Sequence, residues 1–237
     1  MTWQFYPVVH PKAAQGVVEQ ITFLIRSGAV QPGERLPQIE EMSERMQVSR
    51  PVIGEALRIL SDAGIAETRR GLGGGAVVVS DDIPVRLIDR SPYWQRFGLR
   101  ALVEARRPIE TAIAVFAGRN ASRADLADME SQIVLLEALA EGLPSRRIHH
   151  DHLFHYAMGR ASRSPLLAQF QHEILEQLYA RVQEYFDHYE DARSVVALHR
   201  DTLEAIAGGK EAEIHDAIDR HLRPLEEAMD SLDAEEG

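Results

Sequence analysis

The sequence predicts a mainly α-helical chain in two parts: a small N-terminal part that ends in a β-hairpin, and a larger part built from helices alone. Three observations predict it. Up to Gly64, short helical stripes alternate with breakers, and two strand-like runs then flank the glycine-rich segment Arg70-Gly71-Leu72-Gly73-Gly74-Gly75. From about residue 93 onward nearly every segment has helical periodicity. The charge divides along the same line. Residues 1–80 carry eight Lys or Arg and eight Asp or Glu, whereas the other 157 carry 18 and 29 and supply the whole net charge of −11.

The elements follow in order. Val17, Ile21, Leu24 and Ile25 form one helical stripe, which Pro32-Gly33 ends. Ile39 to Met46 forms a short helix, and Gln47-Val48-Ser49 the next turn. Ser49 is placed to cap a helix whose first turn tolerates Pro51, and this helix runs to Ala63 with Val52, Ala56, Leu57 and Leu60 inward. Gly64 stops it. Ile65–Arg69 and Ala76–Val79 read as the strands of the hairpin. Helices are then expected over 93–119, 123–142, 146–160, 165–189, 193–207 and 211–232, with a capping box at Ser122-Arg123-Ala124-Asp125. The expected division is 1–80 for the first domain, 81–92 for a linker and 93–237 for an all-α helical bundle.

Composition narrows the class. The 237-residue chain has no cysteine, which excludes disulfide frameworks and thiolate metal sites and fits a reducing, cytoplasmic setting. No apolar run reaches the roughly 18 residues a membrane span requires, and the start lacks the pattern of a signal peptide. The expectation is a cytoplasmic protein with no membrane partner. An acidic C-terminal domain would repel phosphate, so any nucleic-acid contact belongs in the first third.

Three helices followed by a hairpin make a winged helix-turn-helix, which lays its second motif helix in the DNA major groove. That helix begins at Ser49-Arg50-Pro51, so Ser49, Arg50 and Gly54 would face DNA. Arg50 can reach a phosphate or a guanine edge. Arg69, Arg70, Gly73 and Gly74 of the wing would approach the backbone of double-stranded DNA. The glycine cluster is not a phosphate loop, because it lacks the GxxxxGK[ST] ending and a strand follows it. "SGAVQPGERLP", "VSRPVIGEALRILSDAGI" and "GLGGGAVV" resemble the N-terminal domain of the GntR family over residues 13–79. The chain departs from that pattern at two of three DNA-contacting arginines: Glu40 and Gly54 stand where the family has arginine, and only Arg50 matches. The resemblance implies a transcription regulator, expected to be a repressor, with an operator unlike the usual one. A winged helix serving protein contacts is the alternative.

In the second part, Asp151 and His155 share a helix face with Ile148 and Met158. His199 lies on the stripe of Val195, Thr202, Leu203 and Ile206, and His221 on that of Ile214, Ile218, Leu222 and Leu225. Three helices therefore turn polar groups toward an apolar interior, where each needs a partner. One divalent cation would satisfy all four, and one carboxylate with three imidazoles suits zinc, nickel, manganese or iron. Ordinary core histidines with hydrogen-bond partners are the alternative. His149, His150 and His152 read as a solvated helix start. Asp151, His155, His199 and His221, within "DHLFHYAMGRASRSPLL" and "LHRDTLEAIAGG" with His221 further on, resemble the metal ligands of the FCD sensor domain in the FadR branch of that family, over about 93–230. In "LVEARRPIE", Arg106 matches the family's effector-binding arginine, with Arg100 as a second candidate; Arg107 cannot also point inward. Ser164 and Lys210 depart from the family pattern. The resemblance implies a small organic acid effector, a homodimer and a palindromic operator. A metal-dependent enzyme is the rival reading, disfavoured because no general acid or base stands at a motif spacing.

Overall fold

The computed structural model describes residues 13–69, 75–87, 97–139, 144–189 and 191–235. The chain divides into two compact units, Met1–Gln95 and Arg96–Gly237.

In the first unit α1 (Ala13–Arg26), α2 (Ile39–Met46) and α3 (Arg50–Asp62) precede an antiparallel hairpin of β1 (Ala66–Arg69) and β2 (Gly75–Val78), with Ala66 opposite Val78 and Arg69 opposite Gly75. The apolar arc of α1 is Val17, Val18, Ile21 and Ile25, each at most 2% exposed. Leu24, expected inward, sits at the edge of that arc and is 36% exposed, while Val18 takes its place. The helix-turn-helix corner is made at Gln47, which adopts the left-handed conformation (φ 55°) and directs its N–H to the Ser43 carbonyl. Ser49 has the extended backbone of an N-cap, but its hydroxyl makes no capping hydrogen bond. Ile53, Ala56, Leu57 and Leu60 are the buried face of α3, and Val52 is only half-buried. Gly64, at φ 74°, ends the helix in a conformation that a side chain would strain. Residues 33–36 line the open edge of β2, with Gly33 N–H donating to Val78 O and Leu36 N–H to Ala76 O. Residues 81–87, expected as linker, continue this unit, for Ile83 and Leu87 are buried.

The second unit consists of α4 (Leu99–Asn120), α5 (Arg123–Ala138), α6 (Pro144–Ala161), α7 (Pro165–Tyr189), α8 (Ala192–Gly208) and α9 (Glu211–Glu235). α4 packs against α6, α7, α8 and α9. The expected capping box forms: Ser122 Oγ accepts from the Asp125 N–H, and Asp125 accepts from the Ser122 N–H. Ile113, Met129, Ile133, Phe154, Met158, Ile206, Ile214 and Ile218 make the apolar core. Gly118 lets α4 approach α9 closely; a Cβ there would lie 2.5 Å from Ile214 Cδ1. None of the described helices is long and apolar enough to cross a membrane.

Candidate metal centre and DNA-facing surface

Asp151 and His155 lie one turn apart on α6, His199 on α8 and His221 on α9, each on an inward stripe. The fold brings them together: one ligand atom from each lies within 4.8 Å of all the others. Ligands to one ion at about 2.0–2.1 Å stand no more than about 4.2 Å apart, so a few tenths of an ångström of closure completes a site. His155 and His199 are fully buried, and Asp151 keeps 21% of its side chain exposed.

The hydrogen bonds around the three imidazoles decide which nitrogen each presents. His199 Nδ1 lies 2.8 Å from the Val195 carbonyl, which can only accept, so Nδ1 carries the proton. His155 Nδ1 donates to Glu110 Oε2 at 3.1 Å. The Thr202 hydroxyl gives its one hydrogen to the Leu198 carbonyl (2.8 Å), so His221 Nδ1 must donate to Thr202 Oγ1 at 2.9 Å. All three rings therefore leave Nε2 as the lone-pair nitrogen, the arrangement by which outer partners orient metal-binding histidines. His199 Nε2 is buried and makes no hydrogen bond. It faces Asp151 Oδ1 at 3.1 Å; with the proton on Nδ1 alone these are two acceptors in contact, and a cation between them would turn that repulsion into coordination. On this ground the residues fit a divalent ion.

Electrostatics keeps the carboxylates ionised. Burial alone would raise Asp151, but its close contact with His199, with His155 and the Arg106 guanidinium beyond, holds it well below the usual range. Burial likewise works against Glu110, and His155, Arg106 and Gln171 together hold it low. Burial and the neighbouring histidines push His221 well below the normal histidine range, so it is neutral.

Sequence reasoning did not find Glu110. It lies four residues after Arg106 on the inward face of α4, is fully buried, and receives hydrogen bonds from His155, from Gln171 Nε2 (2.8 Å) and from Arg106 Nε (3.4 Å). The i,i+4 spacing from a cavity-facing arginine was the available signal. Arg106 is buried, as expected, and its Nη2 donates to His155 Nε2 at 2.7 Å. Arg107 points away and ties α4 to α9 through Asp219 and Glu226. Arg100 is exposed at the start of α4 and is not brought to the cluster. His149 and His152 are buried, at 8% and 6% exposure, which corrects the solvated helix start. His152 packs against Tyr156 and Tyr179, and burial pushes its pKa down to about 3. The α6–α7 packing captures it, a contact that helical periodicity on α6 alone does not reveal.

In the first unit Ser49 and Arg50 are exposed at the start of α3. Arg50 Nη1 meets Glu40 Oε1 of α2 at 3.3 Å, with side chains 67% and 56% exposed. The residue that departs from the arginine pattern thus pairs with the arginine that is kept. Gly54 is half-buried, and a Cβ built on it meets nothing within 4 Å. Arg69 pairs through its backbone with Gly75, whereas Arg70, Gly73 and Gly74 lie outside the described residues.

Comparison with known proteins agrees with this two-part fold. Residues 13–77 match the gntR family of bacterial regulatory proteins, and residues 101–224 match the FCD domain. The chain is 34% identical over 163 residues to the Uxu operon transcriptional regulator of Escherichia coli, a match covering 65% of this chain and 60% of that protein. It is 23% identical to the HTH-type transcriptional regulator LutR of Bacillus subtilis, covering 87% of this chain and 96% of LutR. Among solved structures, E. coli McbR/YncC shares the fold with a TM-score of 0.51 at 16% identity, covering 90% of this chain and 95% of that one. Streptococcus agalactiae GntR does so with a TM-score of 0.50 at 19% identity, covering 91% and 99%. The chain belongs to the GntR family of transcription regulators, with a winged helix-turn-helix followed by an FCD domain, and it is a DNA-binding regulator rather than an enzyme.

Proposed function

We propose that the helical unit binds one divalent cation through Asp151, His155, His199 and His221, and beside it a small organic acid. The organic acid in turn sets the affinity of the winged helix for its operator. The single observation that carries the metal is that each of the three imidazoles has Nδ1 committed to an outer partner, while one ligand atom of each lies within 4.8 Å of the others and of one from Asp151. The donor set suits zinc, nickel, manganese or iron. Charge supports an anionic effector. Arg106 contributes +1 and Glu110 and Asp151 contribute −2; a dication brings the buried cluster to +1, which a monocarboxylate neutralises. Arg106 is the effector's protein partner in this reading, and the exposed Arg100 takes no part in it. Regulation is by population shift, in a homodimeric repressor on a palindromic operator.

Elemental analysis of protein purified without chelator should find one equivalent of metal per chain. His199→Ala should lose it. Protein that is metal-free after refolding with each of the four ions in turn would end the metal reading. For DNA, binding-site selection should return a specific duplex whose recognition Arg50→Ala abolishes. Glu40→Arg should raise affinity on every sequence and steepen the salt dependence by about 0.9 per added phosphate contact. Specific binding that survives Arg50→Ala would remove α3 from the role of reader.

A further inference from the structure

Two groups compete for one atom in the Asp151 cluster. His155 Nε2 accepts a hydrogen bond from Arg106 Nη2 at 2.7 Å. The same nitrogen is the only one His155 has to offer an ion, because Nδ1 donates to Glu110. An imidazole nitrogen has one lone pair in the ring plane. It can accept a guanidinium proton or ligate a cation, but not both. Arg106 is not a loose surface group that would yield without consequence: its side chain is 9% exposed and its Nε is 3.4 Å from Glu110 Oε1. Glu110 therefore holds both competitors, His155 through one oxygen and Arg106 through the other.

We infer that Arg106 is a latch on His155 that the cation displaces. Seating the ion breaks the Arg106–His155 hydrogen bond. It leaves Nη2 without its acceptor while Nε stays tethered to Glu110, so the arginine's free donor becomes available to an anion only after the ion has bound. The inference rests on the reading of the cluster as a cation site and adds the order in which the site is assembled.

Zinc alone is a sufficient probe. Its affinity is measured by competition with a chromophoric chelator for the full chain and for Arg106→Met, with circular dichroism to check that each is folded. Arg106→Met should bind zinc at least about tenfold more tightly, since no charge-assisted hydrogen bond has to be broken. Guanidinium NMR of the unsubstituted protein separates a latch from a mere charge and does not depend on the variant folding. The Arg106 Nη protons, slowed by their hydrogen bond to His155, should lose that protection as zinc reaches one equivalent. Stoichiometric zinc with unchanged or weaker affinity in Arg106→Met, or with guanidinium signals that do not respond, overturns the latch and leaves the cation site standing. If neither protein takes up zinc, nor nickel, manganese or iron in the same competition, the cation reading and the latch fall together.

Discussion

Two arginine–glutamate pairs, one in each unit, have nearly the same separation and opposite physical character. Arg50 and Glu40 lie 3.3 Å apart with both side chains more than half exposed. Arg106 and Glu110 lie 3.4 Å apart with side chains 9% and 0% exposed. Water screens the first pair, so it contributes at most about 1 kcal/mol and opens readily. That suits the proposed role of this surface, in which Arg50 is handed to a phosphate or a base. The second pair has no water to fall back on: Arg106 is held by Glu110 and His155, and Glu110 by Arg106, His155 and Gln171. One pair is a contact and the other is part of the interior, though a list of distances would not tell them apart.

The sharpest way to break the comparison is to delete the acid from each pair. Glu110→Ala strips a buried arginine of its counter-charge and His155 of its acceptor. It should cost about 3–5 kcal/mol in urea unfolding and weaken metal binding about 10–100-fold. Glu110→Gln, which retains a hydrogen-bond acceptor, should cost less. A Glu110→Ala protein as stable as the parent would mean that the buried pair behaves like the exposed one.

Acid provides a second, intermediate test. His152 stands among Asp151, Arg106, His155 and His149 with its pKa pushed down to about 3. Its folded pKa lies below its unfolded value near 6.5, so the unfolded chain binds a proton that the folded chain refuses. This contribution to stability is complete above about pH 6.5 and is lost as pH falls, by about 1.4 kcal/mol per unit down to about pH 3. His221 acts in the same direction. Urea midpoints in chelator at pH 7, 6 and 5 should fall together with pH, and His152→Leu should flatten that fall. An unchanged slope would place the His152 proton elsewhere.

The smallest effect belongs to the surface. Glu40→Gln should change unfolding free energy by less than about 1 kcal/mol, and 1 M salt should erase even that. A larger loss would show that the Arg50–Glu40 contact organises the helix-turn-helix rather than decorating it.

The sequence by itself determined the elements and the members of the Asp151 cluster. Helix periodicity and breakers placed the helix ends to within about four residues, except the expected start at 93, which lies outside the described residues, and the Ser122–Asp125 box was readable because capping is local. The inward stripes of α6, α8 and α9 identified Asp151, His155, His199 and His221, because a polar residue on an apolar face is visible without knowing what it meets. Tertiary structure decided what it meets. Only the packing of α4 against α6 joins Glu110 to His155 and sets Arg106 on the nitrogen that a metal would need. Only the packing of α7 against α6 buries His152. In the first unit, only the structure shows that Ser49 makes no capping bond and that Glu40 meets Arg50. Periodicity reports which way a side chain faces along its own helix. The partner, and with it the charge state and tautomer, depends on how two helices cross, which no single stretch of sequence encodes.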